Sequence, residues 1–165
     1  MNADELRARQ APVKQRYKQA PATAKVAANA QAVLSEDDIS CRVTTWRGET
    51  VAGLHPATGG DGTQACSADM LLEALVACAG TTLKAVATAS GVALRRAKVL
   101  AEGIWDARGT LGTDRTAPVG LTDITLRFDI DADVPPEKLQ RLIETTERYC
   151  VILQTLRTPP RIEVL

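Results

Sequence analysis

The sequence predicts an α+β fold, and three observations carry that prediction. Ser67 to Ser90 is a nearly uninterrupted apolar stretch that stops at Gly91. Segments rich in β-branched residues stand before and after it, and Pro135-Pro136-Glu137 opens a second, amphipathic helix. The resulting order of hairpin, long helix, strands, helix and strand departs from the regular alternation that builds a wound parallel sheet.

Each element has its own signal. Residues 1–33, rich in Ala, Gln, Lys and Arg and interrupted by Pro12 and Pro21, read as an N-terminal arm of short helical pieces with little core-forming power. A transit peptide is opposed by Asp4 and Glu5. The folded domain is expected over residues 34–165. Ile39 to Trp46 and Thr50 to His55 form a β-hairpin about the turn Arg47-Gly48-Glu49, followed by a Gly- and Pro-rich loop from Pro56 to Gln64. Ser67 is expected to cap the long helix and Asp69 to place negative charge in its first turn. Residues 97–107 and 121–131 read as strands around a loop from Gly109 to Gly120, the second alternating through Ile124, Leu126, Phe128 and Ile130. The second helix runs through Leu139, Leu142 and Ile143 towards Cys150, Val151 to Leu156 makes a further helical turn, and Arg161 to Leu165 reads as a terminal strand.

The long helix is apolar on nearly every side, so a chain this small cannot bury it alone. A two-fold dimer in which two such helices share one core is the economical solution.

Composition narrows the function classes. Among 165 residues, 20 Lys+Arg balance 20 Asp+Glu, which leaves no overall field to draw nucleic acid or anionic lipid. At 3% aromatic content, stacking platforms for bases are not expected. Asp69, Glu73 and Lys84 interrupt the longest apolar run, and the N-terminus lacks the apolar core of a secretion signal. A soluble cytoplasmic protein with neither nucleic-acid nor membrane partners is expected.

Cysteine is the residue type that carries chemistry here. Cys41, Cys66, Cys78 and Cys150 include no CxxC pair, so reduced thiols are expected rather than a disulfide framework. Cys78 shares a helical face with Ala74, Leu75, Thr81 and Thr82, and is either a thiol facing a small pocket or plain packing. Cys150 follows Arg148 at a helix boundary, where a thiol is either activated or packed. Cys66 precedes a helix N-terminus, and Cys41 sits in a strand pattern and reads as core. His55 is the only histidine; a zinc site joining it to the cysteines lacks paired-ligand spacing. There is no GxSxG elbow, GxGxxG or P-loop, and no cofactor or metal is expected.

Two segments resemble the OsmC/Ohr family of thiol-dependent proteins. The first is Ser67-Ala-Asp-Met-Leu-Leu-Glu-Ala-Leu-Val-Ala-Cys78, and the second is Glu147-Arg-Tyr-Cys150-Val-Ile-Leu-Gln-Thr-Leu156. The resemblance runs in consistent order from Ile39 to Leu165 and leaves the arm unmatched. It implies an intertwined homodimer with an OsmC-like domain over residues 34–165, a hairpin and sheet around two long central helices. It implies further that Cys78 reduces a peroxide, that Cys150 resolves it, and that an arginine and an acid hold the thiolate. Arg47 is the candidate arginine and Asp69 the candidate acid. Two positions depart from the pattern: Ala68 stands where the hydroperoxide branch has its glutamate, and Val151 replaces the usual proline after the second cysteine. Asp69 lies nine residues before Cys78, on the opposite side of a regular helix, and so serves only through an irregular start or a partner subunit.

The function expected from this reading is a thiol-dependent peroxidase acting on organic or hydrogen peroxide, cycling through sulfenic acid and disulfide and reset by an external dithiol. The competing reading is a non-catalytic dimeric stress protein, or one whose cleft holds a small hydrophobic ligand. The missing glutamate favours the second, and two cysteines at family positions favour the first.

Overall fold

The first helix, α1 (Ala3–Gln19), is continuous rather than broken into pieces. A computed structural model of the chain describes residues 1–45 and 48–165. At the start of α1 the Asn2 side chain accepts the Glu5 N–H at 2.9 Å while the Glu5 carboxylate accepts the Asn2 N–H at 3.1 Å. This reciprocal pair satisfies two N-terminal donors, and Pro12 removes a single ladder bond inside the helix without ending it. No residue of α1 is buried.

Three antiparallel strands follow: β1 (Gln31–Leu34), β2 (Ser40–Thr45) and β3 (Gly48–Gly53), in spatial order β1-β2-β3. The expected hairpin is β2 with β3, in register from Ser40 opposite Gly53 to Thr45 opposite Gly48. β1 is short, exposed along its whole length and without strand alternation; it is a strand because β2 offers its edge, from Gln31 opposite Thr44 to Leu34 opposite Cys41. Trp46, the expected end of the first hairpin strand, and Arg47, in the expected turn, lie outside the described residues.

The long helix is α2 (Ser67–Ala89). Cys66, rather than Ser67, occupies its capping position, because the Cys66 carbonyl accepts the first helical N–H, from Met70, at 2.9 Å. Gly91, at φ +64°, ends it and lets Val92 N–H return to the Ala87 carbonyl at 2.9 Å. Leu75, Ala79, Leu83 and Ala87 are buried at four-residue steps along one stripe. Most of its remaining surface is not. By length and composition α2 is apolar enough to cross a membrane, with a mean hydropathy of 1.5 over 18 residues of which 22% are buried.

β4 (Leu94–Ile104) and β5 (Asp123–Ala132) pair in a second sheet. β4 begins earlier than its hydrophobic pattern suggests, since Arg95 and Arg96 reach Asp131 and Asp129 across the ladder. It ends before Trp105, where Asp106 accepts the Arg108 N–H at 2.9 Å and caps a short helix, α3 (Ala107–Leu111), within the expected loop. α4 (Pro136–Tyr149) and α5 (Val151–Arg157) complete the chain. Residues 161–165 are not a strand; they pair with no described strand and stay exposed.

The chain divides into two compact units. Unit 1 comprises Met1–Val26, Ala74–Leu100 and Leu126–Leu165, and its core is Leu83, Ala87, Val92 and Leu142 packed with Phe128, Ile130 and Leu139. Unit 2 comprises Ala27–Glu73 and Ala101–Thr125. Its three-stranded sheet is tied to the segment before α2 by a parallel bridge from Ala52 to Ala65.

Candidate active site

Leu142, Thr146 and Cys150 follow at four-residue steps, so the core stripe of α4 delivers Cys150 to a fully buried position. There the helix breaks. Cys150 is extended (φ −75°, ψ 105°), its N–H still bonds the Thr146 carbonyl at 2.9 Å, and its own carbonyl accepts Gln154 N–H at 3.0 Å as the first bond of α5. The corner is clamped from outside, because Gln154 Nε2 donates to the Glu147 carbonyl and Arg157 to the Glu147 carboxylate, both at 2.8 Å.

A helix start leaves its first N–H groups without intrahelical acceptors. Here sulfur takes them. The Cys78 sulfur, half-buried on α2, accepts the backbone N–H groups of Ile152 and Val151 together with the Cys150 thiol and the Thr82 hydroxyl. Burial is the largest single influence and raises the Cys78 pKa, but these four donors outweigh it and hold the thiol below its ordinary value. Cys150 moves the other way. Burial pushes it up, its hydrogen bond to Cys78 and the charge there push it further, and the N–H groups of Leu153 and Ile152 offset only part of that. The pair is polarised: the thiolate is favoured at Cys78 and the protonated thiol at Cys150.

Cys78 and Cys150 are thus brought together as free cysteines. Arg148 does not act on Cys150, since its guanidinium lies 5.7 Å from the Tyr149 ring centre at the exposed surface. Asp69 is exposed in the first turn of α2, which is regular from Ser67, so it faces away from the Cys78 side of its own helix. Arg47 lies outside the described residues. Cys41 pairs across from Ala52 and Leu34 in the sheet. His55 is committed locally, with Nδ1 accepting the Ala57 N–H at 3.0 Å and the ring edge-to-face with Trp105 at 5.4 Å. The contributors that side-chain reasoning passes over are the backbone N–H groups of Val151 and Ile152. Their one sign in the sequence is the non-proline residue after Cys150.

The sequence pattern of OsmC-like proteins matches residues 60–165, a span that includes both cysteines. The chain belongs to the OsmC-like protein family. Among solved structures, the OsmC-like protein of Mycoplasma pneumoniae is similar at TM-score 0.68 and 20% identity, over 82% of this chain and 90% of that one. An organic hydroperoxide resistance protein from Elizabethkingia anophelis is similar at TM-score 0.64 and 18% identity, over 82% and 92%. A third, an organic hydroperoxide resistance protein OsmC from Legionella pneumophila, gives 0.62 and 16%, over 81% and 93%. At such identities the likeness establishes the OsmC fold alone. No curated protein matches the chain.

Proposed function

We propose that this OsmC-family protein is a two-cysteine peroxidase for organic or hydrogen peroxides. The observation that carries the reading is the polarised pair, in which a thiolate-favoured Cys78 is hydrogen-bonded by a protonated Cys150. The Cys78 thiolate attacks one peroxide oxygen, the O–O bond breaks, and the other oxygen leaves and takes a proton as alcohol or water. Cys78 is then a sulfenic acid. Cys150 condenses with it, forming a disulfide and releasing water, and an external dithiol returns both thiols by exchange while becoming a disulfide itself. Thiol-coupled consumption of cumene hydroperoxide and hydrogen peroxide tests the reading; no turnover with either would overturn it.

We propose Arg47 and Asp69 as supports of the Cys78 thiolate, Asp69 from the partner subunit, because its own helix turns it away. Arg47→Ala is expected to slow alkylation of Cys78 at neutral pH, and an unchanged pH profile would remove Arg47 from the site.

The unit of function is proposed as a homodimer of cytoplasmic chains, with residues 34–165 as the OsmC-like domain and residues 1–33 as an arm. The unburied apolar face of α2 supports the dimer, and the absence of any buried residue in α1 supports the arm. Sedimentation should find a dimer at low micromolar concentration; a well-folded monomer there would refute the shared core.

A second reading, a dimeric protein binding a small hydrophobic ligand, is favoured by one observation. Unit 2 holds a cavity of about 400 Å³ with no charged lining residue, walled by Leu54, His55, Cys66, Leu71, Trp105 and Leu121. It takes precedence if peroxide turnover is absent.

A further inference from the structure

We propose that α1 is a clasp between subunits, its basic flanks and apolar stripe seating in an acidic-rimmed groove on unit 2 of a second copy of this chain. The zero net charge conceals a partition. Unit 1 carries 16 Lys and Arg against 9 Asp and Glu, whereas unit 2 carries 4 against 11, so two equal and opposite charges of seven sit on separate parts of the chain. Part of the positive excess is the arm, where Arg7, Arg9, Lys14, Arg16, Lys18 and Lys25 face only Asp4 and Glu5.

Helical geometry organises that charge. Leu6, Val13 and Tyr17 fall on one narrow stripe at seven- and four-residue steps, with Arg9 and Arg16 along one flank and Lys14 and Lys18 along the other. Among the described residues, Arg9, Lys14 and Lys18 have no anionic partner, and Val13 is 37% exposed. Unit 2 offers the complementary surface. A groove of about 460 Å³ is lined by Leu34, Ile39, Cys41, Ala52 and Asp38, with Leu34 and Ile39 78% and 76% exposed. Glu36 and Asp37, exposed on the β1–β2 turn between the lining residues Ser35 and Asp38, have no cationic partner among the described residues. Asp38 is held in place by the Ser40 hydroxyl and by Gln64 Nε2 at 3.1 Å.

An apolar stripe between basic flanks matches an apolar groove beside an acidic turn in both terms at once. Every copy carries both halves, so a two-fold pair exchanges two clasps and buries both. An anionic bilayer suits α1 less well, because three large apolar residues in seventeen make a weak interfacial face. Nucleic acid has no use for the stripe.

The inference deepens the homodimer proposed above, and charge exchange in the full-length chain separates the two. An arm variant carries Arg9→Glu, Lys14→Glu, Arg16→Glu and Lys18→Glu; a rim variant carries Glu36→Lys and Asp37→Lys and spares Asp38. Each alone sets like charge against like, and its dimer is expected to dissociate about tenfold more readily, roughly 1.4 kcal/mol. Mixed one to one, the two variants should form a heterodimer preferentially, since both of its clasps are then complementary. Circular dichroism checks that each variant is folded, and sedimentation velocity at 50 and 500 mM salt reads the association. Dimers of both variants as tight as wild type, or mixing without preferential heterodimers, would overturn the clasp while leaving the dimer standing. Arm-dependent binding of wild type to phosphatidylglycerol vesicles or duplex DNA, without any effect on the dimer, would also overturn it. A wild-type chain that stays monomeric removes the dimer and the clasp together.

Discussion

Cys78→Ser is expected to reduce peroxide consumption to background, whereas Cys150→Ser should react once and then stop. The asymmetry follows from the polarisation of the pair. Of the two thiols, Cys78 is the one whose donors lower its pKa and favour the thiolate, and only a thiolate attacks the peroxide at a useful rate. Cys150 is buried and its thiol is pushed up, which favours the protonated form, so it is expected to enter after the sulfenic acid has formed. Without it, Cys78 should accumulate as sulfenic acid and then over-oxidise to the sulfinic state. Intact mass after stoichiometric peroxide distinguishes the products: wild type loses two hydrogens and yields a peptide linking the two cysteines, while the Cys150 variant gains one oxygen. A wild-type chain that gives neither the mass loss nor the linked peptide would sink the two-cysteine cycle.

Val151→Pro should raise the Cys78 pKa and slow its alkylation without unfolding the protein. Proline removes one of the two backbone N–H groups that bond the Cys78 sulfur. A hydrogen bond to a charged group contributes about 1.5–3 kcal/mol, so the loss corresponds to at least roughly tenfold slower reaction with iodoacetamide below the new midpoint. The backbone is already suited to the change. Val151 is the first residue of α5, where proline is well tolerated, and Cys150 before it is extended, as a residue preceding proline prefers. The sign is fixed by the chemistry: fewer donors disfavour the thiolate, so the alkylation profile moves to higher pH. Thr82→Val, which removes one hydroxyl donor, should move it the same way. A folded Val151→Pro protein with the wild-type profile would show that Val151 N–H does not hold the thiolate.

Much of this arrangement is legible in the chain, and what is legible has a common physical character. The apolar run from Ser67, the stop at Gly91 and the Pro135-Pro136 start are local signals, set by side-chain hydrophobicity and by the backbone limits of Gly and Pro, and they mark α2 and α4 to within a few residues. Cys78 and Cys150 stand out for the same reason, since Cys78 lies within one recognisable helix and Cys150 at the end of the other. β1 gives little local sign; its four exposed residues, too few to show alternation, become a strand only because β2 presents unpaired backbone groups. The continuity of α1 has a sign in Asn2 and Glu5, but composition and two prolines obscure it. The reading of residues 161–165 as a strand fails for the converse reason: β propensity without a neighbouring edge leaves the backbone bonded to water.

The sequence by itself determined the α+β order, the two long helical segments, the family resemblance and the identity of the two cysteines. Tertiary structure alone decided at which of the two cysteines the thiolate is favoured. Thiol pKa depends on where donors point. The break at Cys150 turns the N–H groups of Val151 and Ile152 towards a sulfur 73 and 74 residues earlier in the chain, a direction that neither helix specifies alone. Arg148, one of the few charges near either thiol in sequence, stacks over Tyr149 instead. Uncharged backbone dipoles, placed by packing Leu142 and Thr146 into the core, favour the thiolate at Cys78, while burial favours the protonated thiol at Cys150.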